Sequence, residues 1–511
     1  MKKTYYFNIF LIFIISITTN FYFGSIGVFP IDTFAFFDSA NFINKGFLPI
    51  RDYWTSNGFL VDLIQSVFFK FFGTNWTVYL LHSSLVNFFL AYLTYKFLLS
   101  ENLKPIHSLF YSISVAILAY PSAGVPFSDH HSLIFSIISI FLLIFFIKKK
   151  LYYNLYLSIF FLIIAFLCKQ VPAGLFFIFC TAIILIFSFK KKKFSYFKNS
   201  FLFSIILLSI IAASLIITQI GIKNFLVQYI YFPLTIGGER SMSFELKYLI
   251  KSFTGEYKYF LLLIFALLYQ SYRKSKKINI LDTNIILILA SIISIFNQEI
   301  MKNQNIIFFL LPILIAIFQS KINLKDKSRR NLLIIFIVTF NIFIVSKYNE
   351  RFNIDRKFMD LQDINKQNYV MAERISKNLK GLRWVSLASE TYLKNEIILL
   401  KKSMEYLKQN SDNSFIITEY QFINSEINSK IYSPNRWYTT DGVSYPLKKN
   451  KYRKYYLKFY KDKIIKNDIE KIFTIYPLNE NVFDFVLKKD CFTTTRINEI
   501  LFEHKLNNCK D

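Results

Sequence analysis

A chain of 511 residues that is 54% hydrophobic and 18% charged, with 60 Phe and a mean hydropathy of +0.36, carries more apolar surface than one soluble core could bury. Its net charge of +28 would suit a nucleic-acid partner if spread over one soluble face, but much of it falls in short runs between apolar segments. Such runs set membrane topology, so composition argues against a nucleic-acid-binding module and for a polytopic membrane protein.

In chain order, windows of about 20 apolar residues predict eleven spans. They lie near 5–23, 76–99, 106–120, 131–147, 151–168, 172–189, 200–220, 259–272, 280–297, 306–320 and 331–347. The first has the basic start and apolar run of a signal peptide, but no small-x-small cleavage site follows, which favours an uncleaved helix. Residues 58–73, GFLVDLIQSVFFKFFG, are interrupted by Asp62, Gln65 and Lys70 and predict an amphipathic helix lying in the interface.

With the N-terminus inside, the inner connections hold 20 Lys and Arg in 38 residues, against 10 in the 115 residues of the short outer loops. That asymmetry fixes the orientation as N-in and C-out. The expected setting is a bacterial inner membrane, with residues 32–54 on the periplasmic or extracellular side. The division is then a membrane region, 1–347, with outer loops 24–75, 121–131 and 221–258, and an exported tail, 348–511.

In the tail, helix-like stretches (DLQDINKQNYVMAERISKNLK, YLKNEIILLKKSMEYLKQ, KKNKYRKYYLKFYKDKIIKNDIEKI) alternate with β-like runs (RWVSLA, SFIITEY, FTIYP, FVLKK). The alternation predicts a small α/β domain. It contains no P-loop, GxGxxG or paired CxxC. Of the four cysteines, Cys168 and Cys180 read as packing residues in or beside spans. Cys491 and Cys509 share the exported tail, where a bridge and two free thiols are equally open.

Polar clusters collect on the outer side. They are residues 32–62; AYPSAGVPFSDHHS (119–132), with Asp129, His130 and His131; CKQVPAG (168–174), with Lys169 and Gln170; the loop with Glu239 and Arg240; and NQEIMKNQN (297–305), with Gln298, Glu299 and Lys302. Charges at the hydrocarbon edge are costly and tend to be paired or functional. Carboxylates beside cations at an outer leaflet suit a reaction on a lipid-linked phosphate: a base takes the proton of an acceptor hydroxyl, and cations stabilise the leaving phosphate.

The stretch DTFAFFDSANFINKGFLPIRDYW, through Asp32, Thr33, Phe36, Gly46, Pro49, Ile50, Arg51 and Asp52, resembles the first outer loop of GT-C glycosyltransferases of the protein-mannosyltransferase and aminoarabinose-transferase type. That loop runs D-E-x-x-Y-x(9)-G-x-x-P-Y-R-D. The resemblance is best over roughly residues 1–180, where the Asp129 loop looks like the second acidic loop and Lys169-Gln170 like a basic position near the donor phosphate. Thr33 replaces the family's second acidic residue, and SNGFLVD replaces its Lys-Pro-Pro segment.

The resemblance implies a polytopic α-helical, GT-C-like membrane protein that acts as an inverting glycosyltransferase. The donor would be a polyprenyl-phosphate sugar and the acceptor a glycan, lipid or protein of the cell envelope; nucleic acid is not a partner. It makes Asp32 the general base and leaves Asp38 without a role. Asp129 and His130 would position the acceptor or a cation, and Arg51, Lys169, Arg240 and Lys302 would bind the donor phosphate. No cofactor is certain, and a divalent cation is left open.

Plainer readings stand beside these: Asp32 as the N-cap of a loop helix, Asp38 and Asp52 in loop ion pairs or facing water, and Lys169 snorkelling to the interface. His130 and His131 point different ways on a helix and have no third ligand at a recognisable spacing. The competing functional classes are a transporter or flippase of lipid-linked sugars and a non-catalytic relative with a binding tail.

Overall fold

The structure, a computed structural model, describes residues 2–27, 33–120, 124–242, 245–301, 306–322, 325–355, 368–385, 390–427, 433–439, 442–476 and 491–507. Among the described residues, seven helices are long and apolar enough to cross a membrane: Lys3–Gly24, Trp76–Ser100, Ser128–Lys149, Gln170–Lys190, Ser195–Ile217, Thr283–Ile300 and Lys327–Ile354. Three shorter apolar helices, Pro105–Leu118, Tyr152–Cys168 and Ile307–Ser320, pack among them. The chain is a helical membrane protein with a small C-terminal sheet region.

Ser128–Lys149 is the central helix, with every side chain from Ser128 to Ile144 buried. Small hydroxyl residues on it let its neighbours approach: Ser139 Oγ donates to Ser158 O at 2.8 Å, and Ser132 Oγ to Lys169 O at 3.0 Å. Ser195–Ile217 is the opposite case, burying only Tyr196, Ser200 and Leu215 and turning Phe201, Ile206, Leu208 and Ile210 outward. An apolar face of that size is stable against lipid rather than water.

The lysine-rich end of the bundle is stapled by Glu101, whose fully buried carboxylate takes Lys148 and Lys321 and the Thr283 hydroxyl at 3.2 Å. At the other end lie a loop helix, Phe37–Asn44, and the helix Phe59–Phe72. The latter is a helix where 58–73 predicts one, but its polar Asp62 and Gln65 are buried with Val61 and Phe69, while Val67, Phe71 and Phe72 are exposed.

The tail joins the membrane region through backbone. β1 (Ile26–Gly27), just past the first helix, pairs in parallel with β3 (Arg383–Trp384), and β2 (Val370–Met371) completes that sheet antiparallel. The second sheet has four strands. β4 (Ser414–Thr418) runs parallel to β5 (Lys471–Ile475), while β7 (Leu501–Leu506) and β6 (Phe492–Arg496) follow antiparallel. The helices Glu390–Asn410 and Arg453–Lys466 fall on two of the expected helical stretches.

The third stretch, DLQDINKQNYVMAERISKNLK, departs from expectation. Its described part is β2 followed by 3₁₀ turns at Ala372–Arg374 and Lys377–Leu379. Ser376 caps the start of the second turn by accepting from Asn378 N at 3.0 Å, a local bond that competes with one continuous helix through the stretch. FVLKK lies outside the described residues, and β6 and β7 are strands beyond those expected.

Candidate functional site

The site is built around the turn Thr55–Gly58, which enters the amphipathic helix at a left-handed Gly58 (φ 71°). Gly58 N donates to Cys168 O at 2.8 Å, and Gln170 Nε2 donates to Ser56 O at 2.7 Å and to Tyr229 O at 2.6 Å. Ser128 Oγ donates to Asn57 Oδ1 at 3.3 Å. Thr55 N reaches Gln228 Oε1 at 3.2 Å, and Gln228 Nε2 returns to Ile50 O at 3.0 Å. One four-residue turn thus ties together the start of the central helix, the Lys169-Gln170 connection and the segment around Tyr229.

Beside this turn, Lys169 Nζ contacts both carboxylate oxygens of Asp129, at 2.7 and 2.6 Å. Asp129 sits in the first turn of its helix, where exposed backbone N–H groups favour an anion. Lys169 sits in the extended break between Tyr152–Cys168 and Gln170–Lys190. Both side chains are nearly withdrawn from solvent, at 13% and 10% exposure, so each depends on the other for neutralisation. The second and third sequence clusters therefore meet, with the first laid against them.

His130 stacks on Tyr120, with ring centroids 4.9 Å apart, and meets Phe127 edge-on at 5.6 Å. His131 faces the other way: its Nδ1 lies 2.8 Å from Tyr120 Oη and its Nε2 3.0 Å from His82 Nε2. His82 Nδ1 in turn lies 2.8 Å from Gln65 Oε1. Among the described residues no group of three His, Cys, Asp or Glu is placed to hold a metal ion.

Arg51 is engaged by Asp52 at 2.7 Å and donates to Gly46 O and Thr218 O at 2.7 and 3.3 Å. Asp52 also accepts from Leu48 N at 2.8 Å and lies 3.5 Å from Lys463. Asp38 does not face water: it is 3% exposed and turned onto the tail at Asn424 and Ser425. Arg240 falls in the helix Phe232–Met242, with its side chain outside the described residues, as are Asp32, Lys302 and Cys509 altogether.

Arg436 of the tail is a participant that sequence reading misses. Its guanidinium is buried and pairs with Asp62, donates to Asn57 O, and lies over the rings of Phe36 and Trp437 at 4.9 and 5.2 Å. Asp62 also accepts from Ser39 Oγ at 2.5 Å and from Tyr53 Oη at 3.0 Å. Burial pushes the Asp62 carboxyl above the usual carboxylate range, against the pull of Arg436 and the two hydroxyls. Asp62, a carboxylate inside an apolar run, is the signal that such a cation must exist.

Compared with known proteins, the chain matches no family model and no curated protein.

Proposed function

We propose that the protein is an inverting glycosyltransferase that moves a sugar from a polyprenyl-phosphate donor to a cell-envelope glycan, lipid or protein. In this reading eleven spans run N-in and C-out in a bacterial inner membrane, the tail is exported as an α/β domain, and the reaction takes place on the outer face. The observation that carries the reading is the Lys169–Asp129 pair, nearly buried where the spans emerge and roofed by the Thr55–Gly58 turn.

A lipid phosphate entering beside this pair competes with Asp129 for Lys169. The acceptor oxygen attacks the anomeric carbon opposite the phosphate as the carbon–oxygen bond to phosphate breaks, and Asp32 takes the hydroxyl proton. The charge gained by the leaving phosphate falls to Lys169, with Arg51, Arg240 and Lys302 as secondary cations. Asp129, released from its lysine, orients the acceptor together with His130 or helps hold a divalent cation.

The test compares surface glycans by mass spectrometry in wild-type, deletion, Asp32→Asn and Lys169→Met cells. Loss of the same sugar in all three altered strains supports the reading. Unchanged glycans with an altered distribution of lipid-linked sugar across the membrane would replace it with a flippase.

A further inference from the structure

We infer that Arg436 is a positioning residue of this site, so that the tail is part of the reaction apparatus and not an appended binding domain. The inference rests on the transferase reading and names a residue which that reading lacks.

The guanidinium holds two segments at once. One of its nitrogens meets Asp62 and another meets the backbone carbonyl of Asn57, so a single planar group links the amphipathic helix to the turn that precedes it. The flanking rings of Phe36 and Trp437 leave it little freedom. Its own backbone is fixed as well: Arg436 N donates to Trp54 O at 3.2 Å, Trp54 N to Pro434 O at 2.8 Å, and the Gln421 amide donates to Arg436 O.

From Asn57 the constraint passes in two short steps. The Asn57 side chain takes the hydroxyl of Ser128, the neighbour of Asp129, while the flanking Ser56 and Gly58 bond Gln170 and Cys168, which bracket Lys169. Arg436 contacts neither member of the Lys169–Asp129 pair in this network. It sets where the turn lies, and the turn sets both segments that carry the pair.

A buried ion pair that only anchors the tail would need charge, not shape. Arg436→Lys separates the two roles, because a lysine supplies one cationic nitrogen for Asp62 and gives up the charged bond to the Asn57 carbonyl, which keeps only the Thr55 hydroxyl at 2.9 Å. Ser128→Ala loosens the same turn from its other side without disturbing a charge. Both variants are tested in the full-length protein in nanodiscs, with sugar-free polyprenyl phosphate as the probe, tryptophan fluorescence for affinity and limited trypsin digestion for tail docking. Surface glycans of the corresponding cells are measured in parallel.

The expected result is a docked tail in both variants, with polyprenyl-phosphate affinity about tenfold weaker, the scale of one hydrogen bond lost at the turn, and a matching fall in glycan transfer. Wild-type affinity in a docked Arg436→Lys protein overturns the assignment. Where the lysine variant does not fold, wild-type affinity in Ser128→Ala overturns it instead. If deleting the whole chain leaves glycans unchanged, the transferase reading falls by itself, and the affinity comparison still decides whether Arg436 positions a lipid-phosphate site.

Discussion

Asp38 and Lys45, on one side of the loop helix Phe37–Asn44 and its end, grip the two ends of the tail helix Ile423–Glu426. Asp38 accepts from Asn424 N at 3.3 Å, Asn424 Nδ2 at 2.9 Å and Ser425 N at 3.0 Å. Lys45 Nζ donates to Asn424 O at 3.0 Å and Ile427 O at 3.3 Å. The anion meets free N–H groups and the cation meets free carbonyls, each satisfying groups that a short helix cannot satisfy itself. Together with Arg436 this makes a second charged latch between tail and loop.

The latch is pH-sensitive in a definite direction. Burial pushes the Asp38 carboxyl up to about 7, against the pull of Asn424, Lys45 and Ser425. Between the unfolded carboxylate value of roughly 4 and that raised value, the folded protein holds a proton that the unfolded chain has released. This group's contribution to stability is therefore complete below the lower value and is lost as pH rises through the upper one. The melting temperature of solubilised wild-type protein should fall more steeply between pH 5 and pH 8 than that of Asp38→Asn. Equal slopes would show that the buried carboxyl is not the cause.

Gly58→Ala should loosen the site from within. A Cβ there would lie 2.3 Å from a ring carbon of Phe36 and 2.7 Å from an Arg436 guanidinium nitrogen, in a backbone conformation with φ +71°. Neither neighbour can move freely, since Phe36 is buried and Arg436 is held by Asp62. Left-handed strain and overpacking together cost about 2–5 kcal/mol. Gly46→Ala is the control: its φ is +92° but no atom lies within 4 Å of the added carbon, so only the backbone strain applies. Chemical denaturation of the two proteins should rank them in that order, with the tail released to trypsin only in Gly58→Ala.

What could be read in the sequence follows from the range of each physical signal. Asp129 and Lys169 stand out because each charge interrupts the end of an apolar run, and the same signal marks Asp62 inside GFLVDLIQ. Hydropathy does not encode which of 61 Lys and Arg answers Asp62. The partner lies 374 residues later, in SPNRWYT, which has no motif. For Asp38 only the water-facing alternative fails, and for a related reason, since a polar loop residue gives no sign that another part of the chain will cover it. In the tail, FTTTR forms an edge strand with four exposed residues, so it lacks the apolar run that marks SFIIT, whose residues are all buried.

The Asp129–Lys169 pair should show strong mutual dependence. Lys169→Met leaves a nearly buried carboxylate without its cation, and Asp129→Asn leaves the ammonium without its anion; each should cost about 3–5 kcal/mol. The double substitution removes both charges and should recover much of that loss, giving a large coupling energy in a double-mutant cycle of unfolding free energies. Sugar transfer should stay absent in all three proteins. Recovery of stability without recovery of transfer separates the pair's chemical role from its structural one, whereas transfer by the double variant would remove the pair from the mechanism.

The two ends of the bundle carry positions whose labelling reports the orientation of the protein. Lys192 belongs to the run that follows Gln170–Lys190, at the end stapled by Glu101 and its lysines, and Lys451 is an exposed position just before the tail helix Arg453–Lys466. Cys168, Cys180 and Cys491 are buried, so a Cys509→Ser background leaves little native thiol for a membrane-impermeant maleimide. In intact spheroplasts, Lys451→Cys should label and Lys192→Cys should not; in inverted vesicles the pattern should reverse. Labelling of Lys192→Cys from outside would turn the protein over. That result would place the Lys169–Asp129 pair on the inner face, where a soluble nucleotide-sugar would replace a lipid-linked one as the expected donor, and the proposed reaction would have to be abandoned.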